Sequence, residues 1–436
     1  MARAICPTSE FLGLSDGALP SCSTPLTHTH RIMSDNILPS LPTAEQLDAL
    51  PTEQKRAEIA PYLLDATENY PDPFYLLEYN GVPFSTLGGI QALSGQKKNG
   101  KTFVLVQLMA AILGTDIERS RTPQYLTGLR VPERTLEHLG RLPTVLYVDT
   151  EMEKLNSAKV LRRVHWLCGW PLDVQCERFH VLWLRGITDV KDGDKVVEKA
   201  YAKRYRLIRT AIEVFNPDAV FIDGIRDIIG DFNDNAESAD LVGELMALAE
   251  QRQICIWNTL HMNPRPGNDD ESKMRGHLGT ELGNKITDTL VSIKSKSASG
   301  VTFTVKQNDA RGKDMEDWKF EVNEDAGALG VPRILSQSEA AANEDQREKN
   351  EVNERFKSFN WPQYGATYTD LEKHLRSQGI TSNRQIAHIF DVAKEEGIIV
   401  KNEKKKYRYN GFRAIPNDKT EDLPFQQSGD NDKPPF

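Results

Sequence analysis

The segment Ile90 to Leu113 reads IQALSGQKKNGKTFVLVQLMAAIL, and the order of its parts decides the fold class. Ile90 to Leu93 is a short apolar run suited to a buried strand, and Phe103 to Leu113 is a Gly-free, mostly apolar run suited to a buried helix. Between them lie Gly95, Gln96, Lys97, Lys98, Asn99, Gly100, Lys101 and Thr102, a full match to the pattern G-x-x-x-x-G-K-[ST]. Glycines let successive backbone N–H groups turn toward phosphate oxygens, and the start of the following helix adds partial positive charge. Lys101 would reach the outer phosphates of ATP, and the Thr102 hydroxyl would ligate Mg²⁺.

Working outward, three more apolar runs end in polar tips. Thr144 to Val148 (TVLYV) leads into Asp149, Thr150 and Glu151. Residues at the carboxyl ends of parallel strands face the crevice where ligands bind. Glu151 there is a candidate base for the attacking water, the alternative being that Asp149 or Glu151 caps the helix expected over Glu153 to Leu167. Ala219 to Ile222 (AVFI) ends in Asp223, an acid placed to hold the Mg²⁺ shell. Ile254 to Leu260 ends at Asn258, Thr259 and His261; His261 is a candidate contact to the γ-phosphate or a histidine that satisfies a local backbone group. Phe179 to Leu184 supplies a further strand, and helices are expected over Val196 to Phe215 and Ser238 to Arg252.

Strand–helix alternation of this length predicts an α/β protein with a doubly wound, mostly parallel sheet, since each parallel pair needs a right-handed crossover. The pattern then changes. Thr289 to Lys294 and Val301 to Gln307 flank the turn-like Ser295 to Gly300, and Trp318 to Val322 follows, which predicts antiparallel strands at the sheet edge.

The 436 residues allow two or three domains, and with 39% apolar and 27% charged residues a sizeable core is expected. A net charge of -9 excludes a generally basic nucleic-acid coat but not a local basic patch. No apolar run approaches the roughly 20 residues of a membrane span. The five cysteines are scattered, odd in number and without metal-ligand spacing, so neither a disulfide scaffold nor a cysteine zinc site organises the chain, and a reducing cytoplasm fits. Residues 1–45 and 414–436 are polar and Pro-containing and are expected to be disordered, with Met33 as an alternative start. A short helical lead-in is expected over 46–80 of an ATPase domain spanning 46–335.

Residues from about 81 to 330 resemble the RecA-like ATPases, most closely the plasmid RepA and DnaB-type replicative helicase branch. GQKKNGKT matches that family's phosphate loop, YVDTE (Tyr147 to Glu151) the segment of its water-activating glutamate, and AVFID (Ala219 to Asp223) its metal-associated strand. NTLH (Asn258 to His261) sits where the family carries a Gln or His γ-phosphate sensor. The resemblance implies hexameric rings in which a basic side chain from one subunit completes the next subunit's site. TVKQNDARGK (Thr304 to Lys313) is similar to the stretch that supplies it: Lys306 matches, the Arg expected two positions later is Asn308, and Arg311 lies further on. Asn263 to Arg275 takes the place of the family's DNA-contacting loops, although its charges nearly balance.

Residues 336–350 are polar and charged and read as a linker or a solvated helix. Over 351–413 the order helix, turn, helix, hairpin resembles a winged helix. From Lys394 to Arg413 seven Lys/Arg face three Glu, a local reversal of the overall charge. Lys404, Lys405 and Lys406 suit phosphate contacts on a wing, and Asn383, Arg384 and Gln385 begin the helix expected to read DNA. The sequence therefore predicts an ATP-hydrolysing, ring-forming protein acting on DNA, as a replication helicase or helicase loader of a plasmid or mobile element. The alternative is an ATP-switched DNA-binding regulator that does not translocate.

Overall fold

The computed structural model describes residues 51–115, 117–262, 274–297, 300–310 and 312–411. The chain separates into two units after Pro71. Within the first, a helix (Thr52–Ile59) and a 3₁₀ turn (Ala60–Tyr62) bury no residue. The lead-in expected to be helical as far as residue 80 is a strand at its end, because the second unit opens with a hairpin, β1 (Tyr75–Tyr79) and β2 (Val82–Thr86). Its turn is Asn80–Gly81, with φ of +48° and +78°. An Asn-Gly pair with both residues left-handed is the turn whose twist suits a tight hairpin.

The central elements alternate as β3 (Ile90–Gly95), α1 (Lys101–Gly114), β4 (Val145–Asp149), α2 (Lys154–Leu167), β5 (Phe179–Trp183), α3 (Ala200–Phe215), β6 (Ala219–Asp223), α4 (Asn235–Arg252), β7 (Cys255–His261) and α5 (Gly276–Lys285). β8 (Asp288–Ser297), β9 (Gly300–Ala310), β10 (Trp318–Asn323) and β11 (Val331–Ile334) follow. Together the strands form one nine-stranded sheet in the order β11-β10-β9-β8-β3-β7-β6-β4-β5. The strands from β8 to β5 in that order are parallel, and β9, β10 and β11 add antiparallel pairs at one edge. The α/β class and the antiparallel edge agree with the sequence. The helix expected from Val196 begins later, at Ala200, because Lys195–Glu198 instead pairs with Val190–Asp192 around Gly193.

Both faces of the sheet are covered. Val145, Tyr147, Phe221 and Trp257 point to the face packed by α1 and α2, while Leu146, Val148, Val220 and Ile256 point to the face packed by α3, α4 and α5. α1 is buried from Val104 to Gly114 and apolar there except for Gln107, whose Oε1 accepts from the Trp318 indole at 3.0 Å, as suits a helix without a solvent face. Each such fully buried Leu, Ile or Met contributes about 1.5–3 kcal/mol over an exposed one.

The chain continues into α6 (Gln337–Lys357), α7 (Tyr368–Ser377), α8 (Asn383–Glu395) and the pair β12 (Ile399–Lys401) and β13 (Tyr407–Tyr409). Residues 336–350, read as a linker or a solvated helix, belong to the start of the helix α6. A capping box between Ser336 and Glu339 starts α6, and Asp345–Lys349 and Glu351–Arg355 pairs one turn apart support it. Phe356, Leu371, Leu375, Ile386, Phe390 and Ile398 form a core of their own, closed by a bridge from Ala366 to Tyr407. No helix among the described residues is long and apolar enough to cross a membrane.

Candidate active site

The loop between β3 and α1 is shaped by two glycines. Gly95 has φ of +152°, and a side chain there would meet the Ser292 carbonyl of β8 at 2.6 Å. Gly100 stands at the N-cap of α1 with φ of +82°, and an added Cβ would lie 2.6 Å from the ring of Phe303. Ser292 donates its hydroxyl hydrogen to the Asn99 carbonyl at 2.5 Å, fastening the loop to β8. The first amides of α1 have no acceptor within the helix, so this turn can bind an anion.

Lys101 is nearly buried. Its ammonium donates to the carbonyls of Gly95 (3.0 Å) and Gln96 (3.1 Å) and to Nδ1 of His261 (2.9 Å). Burial pulls its pKa below the ordinary lysine value, opposed by the charges of Asp223 and Glu151. Thr102 places its hydroxyl 3.4 Å from Oδ2 of Asp223.

Asp223 ends β6 and is buried. Thr259 donates to its Oδ1 at 2.7 Å, and Tyr147 donates to its Oδ2 at 3.0 Å. Burial raises its pKa, while those two hydroxyls pull the other way. Asp149, one strand over and in register with Asp223, has a different task. It accepts from the amides of Glu151 and Met152 at 2.9 Å each and from the Ser157 hydroxyl. Asp149 thus closes the turn that leads into α2 without capping that helix, whose N-cap Glu153 has no side-chain cap, and the Glu151 side chain takes no part in that turn.

Glu151 lies beyond the tip of β4 with two-fifths of its side chain open to the cleft. Its remaining surroundings nevertheless push its pKa up to about 7, chiefly through burial, then through the nearby charges of Asp223 and Asp227. Nε2 of His261 is 3.9 Å from this carboxylate. Burial, with Lys101 and Lys97 close by, pushes His261 down to about 4, so the imidazole is neutral at physiological pH. A cleft of about 580 Å³ runs past Lys97, Lys98, Glu151, Thr259 and His261.

Gly95 to Thr102, Glu151, Asp223 and His261 therefore come together at the carboxyl ends of β3, β4, β6 and β7. The residues fit a nucleotide with its cation. The loop is closed to side chains and carries a buried ammonium resting on backbone carbonyls, and the Thr102 hydroxyl facing the Asp223 carboxylate offers a cation oxygen ligands only. Mg²⁺ is commonly held by one or two such groups plus phosphates. No cluster of three or more His, Cys, Asp or Glu able to hold a metal occurs among the described residues.

Residues 77–263 match the family model described as AAA domain. The matched span, a little under half of the chain, includes the Gly95–Thr102 loop and the carboxyl ends of β4, β6 and β7. No curated protein matches. Among solved structures, the crystal structure of a KaiC-like protein from the hyperthermophilic archaeon Pyrococcus horikoshii is similar at 15% identity with a TM-score of 0.37, covering 58% of this chain and 92% of that one.

The remaining expected residues lie elsewhere. Lys306 sits within β9, opposite Val291. Arg311 lies outside the described residues, as do residues 263–273 and both chain ends. Asn383, Arg384 and Gln385 are exposed on the first turn of α8, whose N-cap Ser382 accepts from the Gln385 amide. Lys404 and Lys405 are exposed and Lys406 half-buried in the turn between β12 and β13, where Asn402 accepts from the Lys404 and Lys406 amides. Sequence reasoning missed Tyr147, Thr259 as a partner of Asp223, and Phe303 beneath Gly100. Period-two alternation along β4 was the available signal for Tyr147, since it shares the face of Asp149.

Proposed function

We propose that this protein hydrolyses ATP and couples the cycle to DNA, as a replication helicase or helicase-loading ATPase. The convergence of Lys101, Thr102, Glu151, Asp223 and His261 on one cleft carries the reading. The triphosphate lies on the Gly95–Thr102 loop, with Lys101 exchanging its backbone carbonyls for phosphate oxygens. Glu151 accepts a proton from water as the oxygen–phosphorus bond forms and the bond to the β-phosphate oxygen breaks, leaving ADP and phosphate. The neutral His261 offers Nε2–H toward the same space as a γ-phosphate sensor. Mg²⁺ would be held by Thr102 and Asp223 and would neutralise phosphate charge.

DNA contact is assigned to the C-terminal module as a winged helix, with Lys404, Lys405 and Lys406 on phosphates and Asn383, Arg384 and Gln385 toward bases. Copies assemble as a ring, with Lys306 and Arg311 as the basic side chains that reach a neighbour's nucleotide. Asn308, where the resemblance calls for Arg, favours a second reading, an ATP-driven switch on DNA that does not translocate.

ATP turnover with and without single-stranded DNA, beside the mass of the assembly in ATP, tests the proposal. Stimulation by DNA and an ATP-dependent ring support it; absence of turnover under both conditions overturns it. Displacement of a strand from a forked duplex separates the motor from the switch.

A further inference from the structure

Tyr147 is fully buried in the middle of β4, yet its hydroxyl is spent on one acceptor, Oδ2 of Asp223 at 3.0 Å. The sheet explains how it gets there. β4 and β6 are parallel neighbours with Tyr147 opposite Phe221 and Asp149 opposite Asp223. Alternation puts Tyr147, Phe221 and Asp223 on the face covered by α1, where Thr102 begins. The phenol thus lies one residue pair below Asp223 and reaches up along the sheet. Thr259 on β7, from the other side, donates to Oδ1 at 2.7 Å.

Asp223 is therefore gripped on both oxygens by neutral hydroxyls from the two strands that flank β6. Such a grip fixes carboxylate rotation and keeps Oδ2, which Thr102 faces at 3.4 Å, aimed at the mouth of the loop.

We propose that Tyr147 is a positioning residue for the divalent cation of the nucleotide site, acting through Asp223 rather than touching nucleotide or metal. The inference rests on the nucleotide reading above and adds a residue that supports the metal ligand from behind. Outer partners of metal ligands typically account for 10–100-fold in metal affinity.

Tyr147→Phe in the full-length chain removes one oxygen and keeps the ring in its place. With ADP present, Mn²⁺ titration followed by the EPR signal of the free ion is expected to show affinity weakened at least about tenfold. ADP binding without metal stays at the wild-type level, and turnover recovers as Mg²⁺ is raised. Equal Mn²⁺ affinity in Tyr147→Phe and wild type overturns the inference while leaving the nucleotide site intact. Failure of the wild type to bind ADP or ATP at all overturns the nucleotide reading itself and this inference with it. Should Tyr147→Phe not fold, Thr259→Val removes the other hydroxyl of the grip; unchanged Mn²⁺ affinity there overturns the gripped-carboxylate account.

Discussion

The ammonium of Lys101 donates to Nδ1 of His261 at 2.9 Å, and that bond fixes the histidine's tautomer. An ammonium has only donors, so Nδ1 must accept and the ring proton must sit on Nε2. The ring then presents an N–H toward the cleft, near Glu151. His261→Ala is expected to lower turnover by about 10²-fold, the cost of losing one aligned donor, with ATP affinity changed far less. Measured kcat and ATP Kd check it; a variant with wild-type kcat removes His261 from the chemistry.

The pH dependence should carry one rising limb. Glu151 has its carboxyl pKa raised to about 7, and only the ionised form can accept a proton from water. Activity therefore falls below pH 7 and rises toward a plateau above it. His261, at about 4, is neutral throughout pH 6–8 and adds no inflection there. Single-turnover rates from pH 5.5 to 9 test the sign; a rate that declines as pH rises through 7 rules out Glu151 as the base.

Gly100 and Phe303 meet closely enough to leave no room for a side chain in the loop. A methyl group at Gly100 would stand 2.6 Å from the ring and impose a left-handed backbone on a side chain. The backbone alone costs about 1–2 kcal/mol, and crowding adds to it. Gly100→Ala should lower thermal stability and nucleotide affinity together, and Phe303→Ala in the same chain should return part of the loss. Loss that is strictly additive in the double variant would show that the two positions are uncoupled.

In the C-terminal module, the three lysines of the β12–β13 turn supply the sharpest test of DNA binding. Replacing Lys404, Lys405 and Lys406 with Ala should weaken binding to every duplex sequence alike. The slope of log affinity against log salt should flatten by about 0.9 for each phosphate that is no longer neutralised. Unaltered affinity and slope would assign the module to protein partners instead.

The glycine turn between β3 and α1, the strand tips and the sheet class were legible because each rests on a local rule: glycine placement, an apolar run, an acid at its end. The roles of Asp149 and Glu151 were not separable from spacing alone. They divide only through Ser157 on α2 and the amides of Glu151 and Met152, which take up both oxygens of Asp149. The β1–β2 hairpin was missed, the lead-in being read as helical, although Asn80–Gly81 between apolar runs is its local signal. Tyr147 is different in kind. A tyrosine inside an apolar strand looks like core, and its hydroxyl acquires a purpose only when β6 is laid beside β4, a pairing across more than seventy residues.

Equilibrium binding of a fluorescent ATP analogue with Mg²⁺ to wild type, Lys101→Ala and Glu151→Gln tests the nucleotide site most directly. Wild type and Glu151→Gln should bind alike, with turnover lost in the latter, and Lys101→Ala should lose binding or all turnover. Lys101→Ala that binds and hydrolyses ATP as the wild type does would contradict the assignment of the Gly95–Thr102 loop to phosphate.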